Sequence, residues 1–205
     1  MRRIYLTVSS ITLVVSIASA VALLASNVLN RQAESGIYPD YVLPQVTDQL
    51  KTASRLMPLN PDPLDNLGIV HLLADGEGST EQALSYYREL VSVRPNQGLG
   101  WAKIVHTKTR LNQIDDEWRV AFEHASEMGG REPDVYNLLT AAAIDKWLVL
   151  SQDDRIRALE VMADAVLNIS GTHKSEYGRR IRDRGFKPLV CQTLQEQRRE
   201  AAFCR

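Results

Sequence analysis

The sequence contains few of the residues that mark several functional classes. Only two of its 205 residues are cysteine, which excludes a disulfide-rich scaffold and a four-cysteine zinc site. Aromatic residues make up 6%, too few to indicate an aromatic carbohydrate-binding cleft. The net charge of −1 argues against nucleic-acid binding through a strongly basic surface. The 44% of hydrophobic and 24% of charged residues nevertheless fit a folded protein.

Catalytic and metal-binding motifs are also missing. The four histidines have no second histidine, cysteine or paired carboxylate at ligand spacing (His71, His106, His124 and His173). Gly76-Glu77-Gly78 lacks the Lys-Ser/Thr of a phosphate-binding loop. We interpret the acidic clusters at 115–117 and 153–154 as charges at helix N-termini rather than acid–base pairs. The sequence therefore predicts a protein that is not an enzyme and has no cofactor.

Charged residues are absent from Ile4 to Val28, a run of 25 residues. A helix of this length reaches about 37 Å, enough to cross a hydrocarbon core of ~30 Å. We predict an uncleaved anchor within residues 1–30, although Ala18-Ser19-Ala20 fits a signal-peptidase site. A cleaved signal peptide and a buried soluble helix are the alternatives. Arg2 and Arg3 precede the run, so the positive-inside rule predicts a bacterial inner-membrane protein with its N-terminus cytoplasmic and its C-terminal domain periplasmic.

Two prolines mark a repeat. Pro61 and Pro95 are 34 residues apart, which is the period of the tetratricopeptide (TPR) repeat. Small and apolar residues occupy the helix-packing positions of such a repeat between them (Leu67, Val70, Ala74, Ala83, Tyr87 and Leu90). We predict the turn between the two helices at residues 75–80, with Ser79 or Thr80 as the cap of the second helix.

A second, less regular unit follows the first. Trp101 follows Pro95 by six residues, as Leu67 follows Pro61, and an insertion near residues 111–116 lengthens the unit until Pro133. Its second helix carries the pattern again at Ala121, Phe122, Ala125 and Met128. The predicted repeat core comprises Leu67, Val70, Ala83, Tyr87, Trp101, Ala121 and Ala125.

Helical periodicity extends over most of the remaining chain, and strand signals are nearly absent. We predict helices over 45–57 and 133–150, and a third one capped by Ser151 and stopped by Gly171. The apolar face of this third helix is expected to carry Ile156, Leu159, Ala163, Val166 and Leu167. A short basic helix over 175–184 is expected to break at Gly185–Pro188.

The predicted fold class is therefore all-α: an N-terminal transmembrane helix followed by a short TPR-like helical-hairpin stack. The predicted organisation is an anchor at 1–30, a connector at 31–44, a TPR-like domain at 45–173 and a basic tail at 174–205. Both cysteines lie in that tail. A Cys191–Cys204 disulfide is expected if the tail is periplasmic, with two free thiols, or Cys191 buried alone, as the alternatives.

The near-neutral total hides an uneven distribution of charge. Residues 1–30 carry +2, residues 31–173 carry −8, and residues 174–205 carry +5. We consider five tail residues as a patch for an anionic partner (Arg179, Arg180, Arg182, Arg184 and Lys187). That partner could be an acidic protein, a phosphorylated lipid carrier, an anionic glycan or the membrane surface. A solvated helix face is the alternative.

The order of these features resembles the VpsP-type polysaccharide biosynthesis proteins, which are small membrane-anchored, TPR-like proteins of bacterial exopolysaccharide gene clusters. The resemblance covers nearly the whole chain. It rests on the N-terminal span, Trp101-Ala102, the Phe122–Gly129 helix before Glu132-Pro133, Trp147, the Arg155–Leu167 helix, and Cys191 after Arg-Gly-Phe. The turn at 129–131 is looser than the family's usual turn, and the tail from Gln192 is longer.

The resemblance implies an accessory role in making or exporting a surface polysaccharide, and it names no substrate. We therefore predict a non-enzymatic, membrane-anchored scaffold that binds proteins of a polysaccharide assembly or export complex. The alternative is a periplasmic TPR-type chaperone for envelope proteins or cytochrome maturation. A glycan- or lipid-carrier-modifying enzyme that uses the basic tail is the third hypothesis. Nucleic acid is not an expected partner, and no small-molecule ligand is identified.

Overall fold

The computed structural model describes residues 21–31, 43–74, 76–129 and 132–205. Within these ranges the regular structure is helical and contains no strand, which confirms the all-α class. The helices are α1 (21–31), α2 (Leu43–Leu56), α3 (Asp62–Leu73), α4 (Glu77–Val93), α5 (Gly98–Arg110), α6 (Asp116–Met128), α7 (Pro133–Lys146), α8 (Gln152–Asn168), α9 (Gly171–Asp183) and α10 (Lys187–Glu196). A 3-10 turn at Ala202–Cys204 follows.

The predicted membrane span lies mostly in residues 1–20, outside the described residues, and only its last part falls in α1. No helix in the described ranges combines the length and the apolar character needed to cross a membrane. α1 buries the polar residues Ser26 and Asn30, and its exposed residues include Asn27 and Arg31 as well as apolar ones. Ser26 Oγ donates to the Ala53 carbonyl at 3.0 Å, and Asn66 Nδ2 donates to Asn30 Oδ1 at 3.0 Å. Val21 and Leu24 are exposed.

The chain divides into two compact units, residues 1–93 and 94–205. In the first unit α3 packs against α2 and α4, and in the second α5 packs against α6 and α7 while α8 packs against α7 and α10. The boundary between the two units, at residues 93 and 94, therefore falls inside the TPR-like domain predicted over 45–173. Residues 174–205 are not a tail, because they form most of α9 and all of α10. These helices bury Tyr177, Ile181, Val190 and Leu194 in the second unit.

The α3–α4 pair contains the first predicted repeat. Leu67, Val70 and Tyr87 are buried in it, as the pattern requires. The two helices lie close together at Gly68, where a Cβ atom would lie 2.3 Å from Tyr87 Cε1. Ala74, which the repeat pattern also included, is exposed just after the end of α3.

The predicted cap of α4 is wrong. The helix begins at Glu77, so Ser79 and Thr80 lie within its first turn. Thr80 Oγ1 donates back to the Gly76 carbonyl at 2.9 Å. Gly76 has a φ of +104°, which reverses the chain earlier than a cap at Ser79 would require.

The C-terminal helices differ from the prediction in several places. α7 ends at Lys146, short of the predicted end at residue 150. Gly171 does not stop α8, since α8 ends at Asn168 and Gly171 is the first residue of α9. Ile156 is 48% exposed rather than on the buried face of α8. The predicted cap is confirmed, because Ser151 Oγ accepts a hydrogen bond from the Asp154 amide at 3.2 Å. The predicted break is also confirmed, with α10 beginning at Lys187.

A buried lysine joins α5 to the start of α6 across the inserted loop. Lys108 is 1% exposed, and its Nζ lies 2.9 Å from Asp115 Oδ2 and 2.6 Å from Glu117 Oε2. Asp115 also caps α6 by accepting from the Trp118 amide at 3.0 Å. Burial alone would raise the pKa of Asp115. The hydrogen bonds from Lys108 and the Trp118 amide and the charge of Lys108 outweigh it, so the pKa lies below the ordinary 3.8.

Substitution Gly68→Ala is expected to lower the free energy of unfolding by about 1–3 kcal/mol, because the new methyl group overlaps the Tyr87 ring. Gly78→Ala is the matched control, since its Cβ meets nothing within 4 Å. It is expected to be neutral or to stabilise by up to about 1 kcal/mol. Urea unfolding of the full chain in detergent measures both variants. Equal stabilities would contradict the close approach of α3 and α4.

Substitution Asp115→Asn keeps the capping acceptor but removes the charge beside Lys108. We expect a loss of stability on the order of 1 kcal/mol at pH 7. A carboxylate whose pKa is lower in the folded than in the unfolded protein stabilises the folded state fully at any pH above its unfolded pKa. This contribution is lost as the pH falls below about 3.8 and passes through the folded pKa of Asp115. Unfolding curves of the two proteins should therefore differ at pH 7 and converge below pH 3.8. A difference that persists in acid would refute the ionic contribution.

Candidate functional site

Two polar contacts join α9 to α7. The hydroxyl groups of Thr140 and Tyr177 share a hydrogen bond, and both residues are buried. Arg180 Nη1 donates to the Asn137 carbonyl at 3.5 Å. This packing brings the last two turns of α9 against the C-terminal half of α7.

Two arginines one helical turn apart therefore face a small apolar floor. A cavity of about 170 Å³, which we call the α7–α9 groove, is lined by Arg180 of α9 and by Arg184, which directly follows the end of α9. Its other lining residues are Ala141, Ile144 and Asp145 of α7. The three α7 residues follow an i, i+3, i+4 spacing and so share one side of that helix. Sequence reasoning missed them, although this spacing could have indicated a common face.

The charges around the groove are only partly balanced. Arg180 Nη2 lies 4.0 Å from Glu176 Oε1, and Asp145 pairs with Lys146 at 2.9 Å. Arg184 is exposed. An adjoining cavity of about 300 Å³ is lined by Arg179, Arg180 and Arg184 together with Glu176 and Asp183. Planar guanidinium groups in such a place can bind a carboxylate or phosphate through paired hydrogen bonds.

His106 of α5 lies in the electrostatic field of the same region. Burial lowers its pKa, because the imidazolium ion is poorly solvated there, and the charge of Arg110 lowers it further. The carboxylate of Asp145 acts in the opposite direction. Burial and Arg110 therefore make His106 less readily protonated, and the cation paired with Asp145 is Lys146, at 2.9 Å.

The predicted basic patch is divided in the structure. Arg179, Arg180 and Arg184 surround the two cavities just described. Arg182 and Lys187 instead lie over the ring of Phe203, each with its cationic group 5.7 Å from the ring centre. Adjacency in sequence suggested a single patch, but the 100° step of a helix turns Arg182 toward a different neighbour.

The two cysteines are joined in the structure. Cys191 and Cys204 form a disulfide with a Cα–Cα distance of 5.7 Å. The bond ties the 3-10 turn to α10, and Phe203 of that turn packs against Gly178 of α9. Arg199 Nη1 contacts Asp164 Oδ1 at 2.5 Å, which joins the same segment to α8. Beside the disulfide lies a depression of about 720 Å³, in which Arg199 is paired with Asp164 and Arg205 with Glu200.

Six of the seven predicted repeat-core residues are buried: Leu67, Val70, Ala83, Tyr87, Ala121 and Ala125. Trp101 is only partly buried, with its Nε1 donating to the Pro95 carbonyl at 2.7 Å and its ring 4.7 Å from that of His124. Among the other tryptophans, Trp118 is buried and Trp147 packs edge-on against Phe186 at 4.8 Å.

Histidines serve as packing partners in the described part of the chain. His71 stacks on Tyr86 with a centroid distance of 5.4 Å, and His124 packs against Trp101 with the two ring planes tilted by 41°. Within the described ranges, no group of three His, Cys, Asp or Glu residues is placed to hold a metal ion. The side chain of His173 lies outside the described part.

Comparison with protein-family models and with curated proteins gives no match. The resemblance to VpsP-type proteins therefore remains a prediction from the sequence.

Reduction of the disulfide is expected to lower the free energy of unfolding of the second unit by about 2–3 kcal/mol, from the loop entropy of a 13-residue separation. Urea unfolding with and without reductant measures the change. The double variant Cys191→Ser/Cys204→Ser is the control, because it should match the reduced protein and not respond to reductant. Labelling of both thiols in the native, unreduced protein would refute the bond.

Proposed function

We propose that the protein is a non-enzymatic, membrane-anchored scaffold that binds an acidic segment of a partner protein in the α7–α9 groove. The observation that carries the proposal is the pair Arg180 and Arg184 beside the apolar floor of Ala141 and Ile144. The guanidinium groups favour a carboxylate, and the floor favours a neighbouring aliphatic side chain. Such a combination fits an acidic peptide with interspersed apolar residues.

The size of the groove favours a peptide over an enclosed small molecule. Its volume of about 170 Å³ is well below the 300–1,000 Å³ of ordinary small-molecule pockets. Helical-repeat proteins commonly bind peptides along the faces of successive helices. We propose that α3–α4 and α5–α6 are TPR-type hairpins, which is supported by their spacing and by the burial of the repeat positions.

The uncharged run Ile4–Val28 supports the proposed anchor, and so does α1. The first turn of α1 exposes Val21, Leu23 and Leu24, which favours contact with lipid there, whereas Asn27 and Arg31 are exposed further along the helix. We propose a single-pass inner-membrane protein with both units in the periplasm. A disulfide is consistent with that oxidising compartment.

The cellular process follows from the resemblance alone. We propose a role in surface polysaccharide biosynthesis or export, where the scaffold would hold components of the assembly machinery together. The alternative is a periplasmic TPR-type chaperone for envelope proteins or cytochrome maturation, which the same helical pairs would suit. The identity of the bound partner separates the two hypotheses.

Substitution Arg184→Glu is expected to reduce partner capture about tenfold, because it places a like charge against an acidic segment. Affinity purification from crosslinked membranes measures the captured protein. Arg198→Glu is the control, since Arg198 lines the depression beside the disulfide and not the groove. Wild-type capture by a folded Arg184→Glu protein would refute the groove as the binding site. Polysaccharide-assembly proteins in the eluate support the first hypothesis, and chaperone clients support the second.

A further inference from the structure

The end of α2 and the turn that leads into α3 expose two leucines. Leu59 is 79% exposed and Leu56 is 39% exposed, and we call these two residues the apolar turn. The backbone between them is held in place, because the Met57 amide donates to the Ala53 carbonyl at 3.1 Å and the Asn60 amide donates to the Met57 carbonyl at 2.9 Å. Exposed leucines are common on protein surfaces, so the meaning of this pair depends on what lies beside it.

The helices α1 and α2 run in opposite directions. Ser26 Oγ donates to the Ala53 carbonyl at 3.0 Å, which joins the middle of α1 to the last turn of α2. Further along α1, Leu29 lines a shallow depression together with Pro44 from the start of α2. A higher number in α1 therefore lies beside a lower number in α2. It follows that the start of α1 lies beside the end of α2.

This arrangement gathers exposed aliphatic side chains at one end of the first unit. Leu23 precedes Ser26 by three residues, and Leu56 follows Ala53 by three residues. Each step of three residues covers about 4.5 Å along a helix, and both steps lead toward the same end. The exposed aliphatic residues at this end are Val21, Leu23, Leu24, Leu56 and Leu59.

The uncharged segment of the chain enters the first unit at this same end. Residues 4–20 contain no charged side chain, and they continue directly into α1 at Val21. They are also the residues on which the proposed anchor rests. If they hold the protein in a bilayer, the lipid surface lies beside the start of α1. The opposite end of the unit, where α3 finishes at Leu73, then points away from the lipid.

We propose that the apolar turn enters the interface of the bilayer that holds the anchor. The inference rests on the proposed anchor, which raises the effective concentration of lipid at this end and so lets a small apolar contact become populated. The nearest charged residues along the chain on either side of the turn are Arg55 and Asp62, which have opposite signs. The contact is therefore apolar, and it requires no particular headgroup charge.

The contact gives the first unit a second point of attachment to the membrane. An anchor alone leaves the unit free to pivot about the start of α1. A turn held in the interface beside that start would remove much of this freedom, and α2 and α3 would then rise from the bilayer in a defined direction. A scaffold held in this way presents its helices to a partner at a fixed height above the lipid.

The test uses the full chain in vesicles of phosphatidylcholine, and in vesicles with added phosphatidylglycerol. An environment-sensitive dye is attached at Leu59→Cys, with the native disulfide left intact. Leu73→Cys is the matched control, because Leu73 is a 54% exposed leucine at the other end of α3. Ile17→Cys reports separately on the anchor. Brominated lipids serve as the quencher.

A blue shift and quenching at position 59, similar in the two kinds of vesicle and absent at position 73, supports the proposal. A dye at 59 that is as accessible as the dye at 73, while position 17 is quenched, overturns the contact and leaves the anchor standing. Lack of quenching at both 59 and 17 overturns both. A blue shift at 59 without quenching by brominated lipid shows that protein covers the turn, and it overturns the lipid contact. Quenching at 59 that requires phosphatidylglycerol overturns its apolar basis.

Discussion

A hydrogen bond between the hydroxyl groups of Tyr177 and Thr140 fixes the position of α9, and the proposed binding groove depends on that position. Both groups lie in the interior, where an unpaired hydroxyl is costly, so each satisfies the other. Burial raises the pKa of Tyr177 further above its ordinary value, and the phenol therefore stays neutral. With α9 held there, Arg180 and Arg184 face α7 rather than solvent alone.

The sequence predicted the helical class and most buried repeat positions, because helix periodicity and proline spacing are local signals. Ser151 was recognisable as a cap for the same reason. The start of α4 was not, since it depends on the positive φ of Gly76, which no neighbouring pattern specifies. The second unit also extends through residues 174–205, because Tyr177 and Val190 become buried only through contacts with distant helices.

The sequence predicted the arginines of the candidate site but not the residues of α7 that line it. A count of arginines indicated a cationic region, but the separation of Arg182 from Arg180 follows from helix geometry combined with the place of Phe203. The apolar floor of Ala141 and Ile144 belongs to another helix, α7, and its contact with α9 depends on tertiary packing that the local sequence does not specify. The exposure of Leu148 and Val149 was missed because both residues fit the apolar pattern of the predicted 133–150 helix, and only the end of α7 at Lys146 leaves them outside it.

The two buried polar residues of α1 have a practical consequence for anyone shortening the chain. Removing the hydrophobic segment to obtain a water-soluble fragment is routine, and a start after residue 31 would look safe. Such a fragment would lose Ser26, which donates to the carbonyl of Ala53, and Asn30, which accepts from the side-chain amide of Asn66. The remaining first unit would expose a surface that is normally interior. Failure of that fragment to behave well would then reflect a missing structural helix, and not an intrinsically unstable domain.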